Sequence, residues 1–298
     1  MTTNFGTSNV RPMQIGEILD GTFNIYRRHF GLFMRLSFVL ICVPAVLGVF
    51  LFARLLADPM GFPVWLGQNV LTAIGLVIVG IVVFALVSVL LKAGTVKIIS
   101  DSYLGHQPSL GAALKFGVGR IMPMLVVALA KAVLFVVLYF AAVLAFIVVV
   151  GIGRAVGGAA GAALSGTIAV VGGVWAFAFV LCGYALTTMV VVLENLDSSF
   201  EAFPRSWSLT QAAKLKVFLV WLVMWLITYL VPTVAILGVR FAIGLQSPLQ
   251  PVLSILSPLV SVVLAPLAAC ALTLVYYDMR VRREAFDLQI LSEQLETR

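Results

Sequence analysis

The sequence predicts an all-α integral membrane protein: six transmembrane helices arranged as three repeats, each an interfacial amphipathic helix plus a transmembrane hairpin, followed by a cytoplasmic C-terminal amphipathic helix. Three observations predict it. Of 298 residues, 62% are hydrophobic and 10% charged, against about 25% charged in a typical soluble domain. Six apolar runs each reach the roughly 20 residues needed to cross the hydrocarbon. Lys and Arg gather at the ends of those runs on one side.

The chain reads as a single membrane domain over 1–298. Its first element lies over 12–30, where Pro12 suits the opening of a helix. Ile15, Ile18, Leu19, Phe23, Tyr26 and Phe30 fall on one stripe at helical spacing, with Arg27 and Arg28 near its end. That pattern fits a helix lying in an anionic headgroup layer, where each cation is worth about 1 kcal/mol, and equally a solvated flank. The spans follow at about 31–53, 64–91, 121–150, 164–193, 217–239 and 252–277. The fourth is the plainest, because no charge occurs between Arg154 and Glu194. The glycines from Gly157 to Gly161 suit a turn leading into it. Leu19 to Phe33, Leu110 to Leu125 and Phe200 to Phe218 each read as a mixed helix entering a pair of spans, which is the basis of the three repeats. The tail over 278–298 carries Arg280, Arg282 and Arg283, then Phe286, Ile290, Leu291 and Leu295 at helical spacing.

Fifteen of the nineteen Lys and Arg lie on one side of these spans, and three, Arg54, Arg154 and Arg240, on the other; Lys131 is inside a span. The positive-inside rule then places both termini in the cytoplasm of a bacterial inner (plasma) membrane. No cleavable signal is expected, since the first apolar run is long enough to span. The outer loops are short, so recognition in water is expected on the cytoplasmic side.

The chemistry-bearing residues are few. His29 and His106 have no partner at zinc-ligand spacing, so no metal is expected. No phosphate-binding G-x-x-x-x-G-K-[ST] loop occurs, and Ser165, in Leu164-Ser165-Gly166, lacks the first glycine of G-x-S-x-G and a histidine on the outer side to activate it. No cofactor and no catalytic residue are expected. Cys42, Cys182 and Cys270 read as packed thiols, and the dispersed basic residues argue against nucleic acid.

Lys131 is the most informative single residue, because an ionisable group about ten residues into a span is costly and by default functional. It suits an anionic headgroup or a pathway; a snorkelling stem is the alternative. Arg27, Arg28, Arg280, Arg282 and Arg283 are the other headgroup candidates. Glu194, Glu201 and Arg205, in the loop before the fifth span, suit a docking surface for a partner or, more simply, local salt bridges. Pro44, Pro232, Pro258 and Pro266 interrupt spans and free carbonyls that can line a cavity, or merely kink the helices. Gly153, Gly157, Gly161 and Ser165 form a small-residue ladder suited to close helix packing. Trp207, Trp221, Trp225, Tyr229, Tyr276 and Tyr277 lie near predicted boundaries, where amphipathic rings set depth.

Five segments carry a resemblance: Ile15-Gly16-Glu17-Ile18-Leu19-Asp20, Tyr26-Arg27-Arg28-His29-Phe30, Ser102-Tyr103-Leu104-Gly105, Arg205-Ser206-Trp207-Ser208-Leu209, and the run from Tyr276 to Glu284. They look like the glycerophosphoryl diester phosphodiesterase membrane-domain family, over nearly the whole chain. In some members of that family a soluble phosphodiesterase barrel follows the membrane part. The tail after Tyr277 here has no room for a barrel of about 250 residues, so the resemblance implies a stand-alone membrane part without phosphodiesterase activity. Ala285 stands where the family pattern has glycine. The expected function is non-enzymatic: a multi-pass protein that binds or organises anionic phospholipid or supports a membrane partner, or a homo-oligomer. The alternative is a small-solute or lipid transporter or channel.

Overall fold

The computed structural model describes residues 12–40, 58, 61–244, 247 and 249–284, and among these the chain is helical without strands. In order, the helices are α1 (Ile15–Arg28), α2 (Phe30–Leu40), α3 (Gly61–Gln68), α4 (Val70–Tyr103), α5 (Leu110–Gly119), α6 (Ile121–Gly183), α7 (Thr187–Leu193), α8 (Ala202–Thr210), α9 (Lys214–Trp225), α10 (Val231–Ile243) and α11 (Gln250–Glu284). Among the described residues, four helical stretches are long and apolar enough to cross a membrane: Val70–Tyr103, Ile121–Leu193, Lys214–Ile243 and Leu259–Glu284. The second half of the expected first span, with Pro44 and Cys42, lies outside the described residues, as does the tail from residue 285.

α6 covers the expected span at 121–150 and most of the one at 164–193. Its helical dihedrals fail at Gly157 and at Gly158, where φ is +61°, a conformation only glycine adopts at no cost. The contacts across it then step apart in antiparallel register: Gly153 against Gly161 and Ser165, Val150 against Gly166, Phe135 against Phe177 with ring centroids 5.7 Å apart, and Lys131 against Tyr184. A Cβ on Gly153 would lie 2.6 Å from the Gly161 carbonyl oxygen. The small-residue ladder therefore brings the two legs together at the apex. The first leg is about 55 Å long at 1.5 Å per residue.

Burial divides the molecule into two zones. In the base, Phe33, Leu36, Ala93, Ile98, Ile99, Leu186, Val190, Leu209, Val217, Leu274 and Tyr276 are buried together. Beyond it, apolar residues of α4 (Leu71 to Phe84), α6 (Leu129 to Phe179) and α10 (Val231 to Phe241) are exposed, many on more than half their surface.

Two element boundaries differ from expectation for one reason. α4 runs on past Leu91 to Tyr103, and α11 runs unbroken through Tyr277 to Glu284. Both continuations are largely buried, so tertiary packing extends the helices where the apolar composition falls away. α4 ends at Gly105 (φ +81°), with the His106 N–H donating to Asp101 O and the Gly105 N–H to Ser102 O; this is a Schellman cap. The segment from Asp278 to Glu284 is therefore helix packed in the base rather than a separate helix on the headgroups. α1 also departs from a headgroup helix: Ile18, Thr22 and Ile25 are buried where it packs against α11, α9 and α4, while only Phe23 and Phe30 of the expected stripe stay exposed.

Candidate functional site

The site begins at a break in the helix. α6 stops at Gly183 and α7 starts at Thr187, which leaves carbonyls without intrahelical partners. Side chains supply the donors. Ser206 Oγ donates to Gly183 O at 2.8 Å, and the Thr210 hydroxyl reaches the same oxygen at 3.4 Å. Lys131 Nζ donates to Tyr184 O at 2.8 Å, as does Thr187 Oγ1. A Cβ on Gly183 would collide with the Trp207 ring, so α8 lies directly on this backbone. Lys131 is thus a cap for a broken helix, held about 15 Å along α6 from Ile121. That is where the buried residues of this leg, Met124 and Val127, give way to the exposed Leu129 and Val133.

An ammonium has three N–H donors and the Tyr184 carbonyl takes one. Lys131 also lines a half-open cavity of about 430 Å³ between α4, α6, α7, α9, the turn after α9 and α11. α4 turns one face to it, Ser88, Leu91, Lys92 and Thr95, at i, i+3, i+4 and i+7. Lys92 stands about as far from the base end of α4 as Lys131 does from that of α6, so the cavity receives two cations at one level. Thr188 adds a hydroxyl, Phe135, Met189, Trp221 and Leu272 are among the apolar walls, and none of the described lining residues is acidic.

Tyr229 reaches the cavity through a local irregularity. Residues Leu226–Leu230 form a π-turn immediately before Pro232, whose ring disrupts the ordinary ladder one turn back. Pro266 lines the cavity from α11, and in the turn before it Val263 O accepts from the Tyr26 hydroxyl at 2.8 Å.

Two ionic networks hold the base together. Asp278, wholly buried, pairs with Lys216 and with Arg282 at 3.1 Å, and accepts the Met13 N–H at 2.7 Å. Lys216 and Arg282 in turn donate to Met13 O. In the second network Arg205 binds Glu194 at 2.8 Å and Glu284, Arg280 binds Glu284, and the Tyr276 hydroxyl donates to Glu194 at 2.9 Å. Burial pushes the Glu284 carboxyl up, but its hydrogen bonds from Arg205 and Arg280 outweigh that and hold it below its usual 4.5.

These contacts redistribute the expected site residues. Arg280 and Arg282 are tied into the base; Arg27, Arg28 and Arg283 stay exposed. Glu194 and Arg205 form an internal ion pair, which favours the salt-bridge reading over a docking surface, while Glu201 is exposed in the turn opening α8. Lys214 packs on the Phe179 and Trp207 rings, 3.3 and 3.7 Å from their centroids. A second hollow of about 320 Å³ is lined by Lys97, Arg120 and Arg280, whose charges already face Asp101, Asn195 and Glu284. Sequence reasoning missed Lys92, which ends an apolar run and so reads as a loop residue; its signal was the alignment of Ser88, Lys92 and Thr95 on one helical face. Among the described residues no cluster could hold a metal ion, and Cys182 and Cys270 are buried thiols. No family model matches the chain, and no curated protein or solved structure matches it.

Proposed function

We propose that this is a non-enzymatic multi-pass protein of the bacterial inner membrane, with both termini cytoplasmic, that binds anionic phospholipid in the cavity shared by Lys92 and Lys131. The observation that carries this reading is two lysines, with no lining carboxylate among the described residues, in an otherwise largely apolar cavity. The cavity sits where the buried base meets the exposed apolar zone. If that zone lies in hydrocarbon, both ammonium groups stand at headgroup depth, which relieves the cost that a mid-span Lys131 would carry. Trp221, Trp225 and Tyr229 cluster near the same level, as interfacial aromatics do. In this reading the legs of α6 are separate spans, α1, α5 and α8 open three repeats, and six helices cross. It agrees with the resemblance to the membrane part of that family.

Native mass spectrometry of the chain extracted in mild detergent tests it. Anionic lipid should stay bound to the wild type and be lost from the Lys92→Gln, Lys131→Gln double variant. Equal retention by both would overturn the reading. A transporter is the second reading, favoured by one observation: a π-turn residue, Tyr229, and Pro266 both line the cavity, as broken helices do in transporters. Solute or lipid movement in proteoliposomes that stops in the double variant would select it.

A further inference from the structure

The geometry points to a phosphate monoester carried on an apolar chain as the preferred ligand of the Lys92–Lys131 cavity. This rests on the reading of that cavity as an anionic-lipid site and goes one step further, to the kind of headgroup.

The argument is one of charge balance in a confined space. Two ammonium groups face a cavity whose described walls are mainly apolar and hold no carboxylate. A phosphodiester headgroup carries one negative charge and leaves one of the two lysines without a counter-charge, since no lining carboxylate among the described residues supplies one. A phosphate monoester has a second ionisation near pH 6 and carries close to two charges at neutral pH, which matches two lysines. It also presents three terminal oxygens, each a strong acceptor. The donors available are of the right kinds: two lysines, which bind phosphate as point charges, and the hydroxyls of Ser88, Thr95 and Thr188.

The walls argue for a chain on the ligand. Phe135, Met189 and Leu272 offer apolar surface that inorganic phosphate cannot cover. A volume of about 430 Å³ is within the range of small-molecule sites. It accommodates a headgroup with the first part of a chain, the remainder leaving through the open side. Lys131 is anchored to the Tyr184 carbonyl before any ligand arrives, so its ammonium is already oriented. Lys92 is exposed, so its replacement removes no buried side chain.

The test is competition on the intact chain in mild detergent, read by native mass spectrometry with equal amounts of dioctanoyl phosphatidic acid and dioctanoyl phosphatidylglycerol. At pH 8 the monoester should be retained about tenfold over the diester, a difference worth about 1.4 kcal/mol. The ratio should fall toward one at pH 5, where the monoester loses its second charge, and at pH 8 in either Lys92→Gln or Lys131→Gln. A tenfold excess of inorganic phosphate should leave the bound lipid in place. Equal retention of the two lipids in the wild type, with both lost in the lysine variants, would overturn the monoester preference and leave the anionic-lipid reading standing. Displacement by inorganic phosphate would overturn the requirement for an apolar chain. Retention that ignores both lysines would overturn the underlying reading as well.

Discussion

Asp278 shows how much one side chain holds in this molecule. Its buried carboxylate meets Lys216, Arg282 and the Met13 N–H, joining α9, α11 and the segment that leads into α1. Removing one partner of such a group leaves a buried charge uncompensated, at about 3–5 kcal/mol. Asp278→Asn should therefore lower the thermal unfolding midpoint in detergent sharply, while Arg283→Gln, at an exposed position one turn on, should leave it nearly unchanged. The Glu284 carboxyl, beyond the expected end of the sixth span at Tyr277, gives a pH dependence of known sign. Its folded value lies below 4.5, so its contribution is fully present at neutral pH and is lost as pH falls through the lowered value. The unfolding midpoint of the wild type should drop more steeply below pH 4.5 than that of Glu284→Gln. The sequence marked Lys131 as exceptional because an isolated charge stands out in an apolar run. It did not mark Asp278, since an acidic residue among arginines reads as surface until the helix that buries it is in place.

The helices themselves were legible wherever composition alone decides them, as in the two legs of α6 and the long α4. What was not legible depends on contacts between elements. The stop between Gly183 and Thr187 falls in an apolar run with no proline, and it exists because Ser206, Thr210, Lys131 and Thr187 supply donors to the exposed carbonyls. Trp207 then packs on the glycine itself. Gly183→Ala should force that ring away and cost about 1–3 kcal/mol, in the manner of other overpacked sites. A chemical-denaturation series in detergent micelles reads this directly, and Trp207→Leu combined with Gly183→Ala should recover part of the loss. The π-turn at Leu226–Leu230 is partly legible, because Pro232 announces a disturbed ladder. Its form is set by the packing of Met224 and Thr228, both buried, and no local signal specifies it.

The division into a buried base and an exposed apolar zone makes a topological prediction. In a background lacking the three native cysteines, Ala159→Cys at the α6 apex should react with a membrane-impermeant thiol reagent added to whole cells. Ser208→Cys in α8 should react only in inverted vesicles. Labelling of both positions from the same side would rule out α6 as a transmembrane hairpin. Segments far apart in the sequence meet in the base: Tyr103 stacks on Tyr277 at 4.8 Å, Arg205 pairs with Glu284, and Asp278 clasps Met13. The sequence placed Tyr276 and Tyr277 at a boundary as depth markers, and pattern alone could not show that these segments converge.

The clasp on Met13 also has a consequence in time. Its two ends are 265 residues apart in the chain, and synthesis at roughly 5–20 residues per second separates their appearance by about 13–50 s. For that interval α1 has been made while α11, a helix it packs against, has not. The base of this molecule is closed by α11, so its assembly must wait until α11 has been made, although α1 is produced well before it.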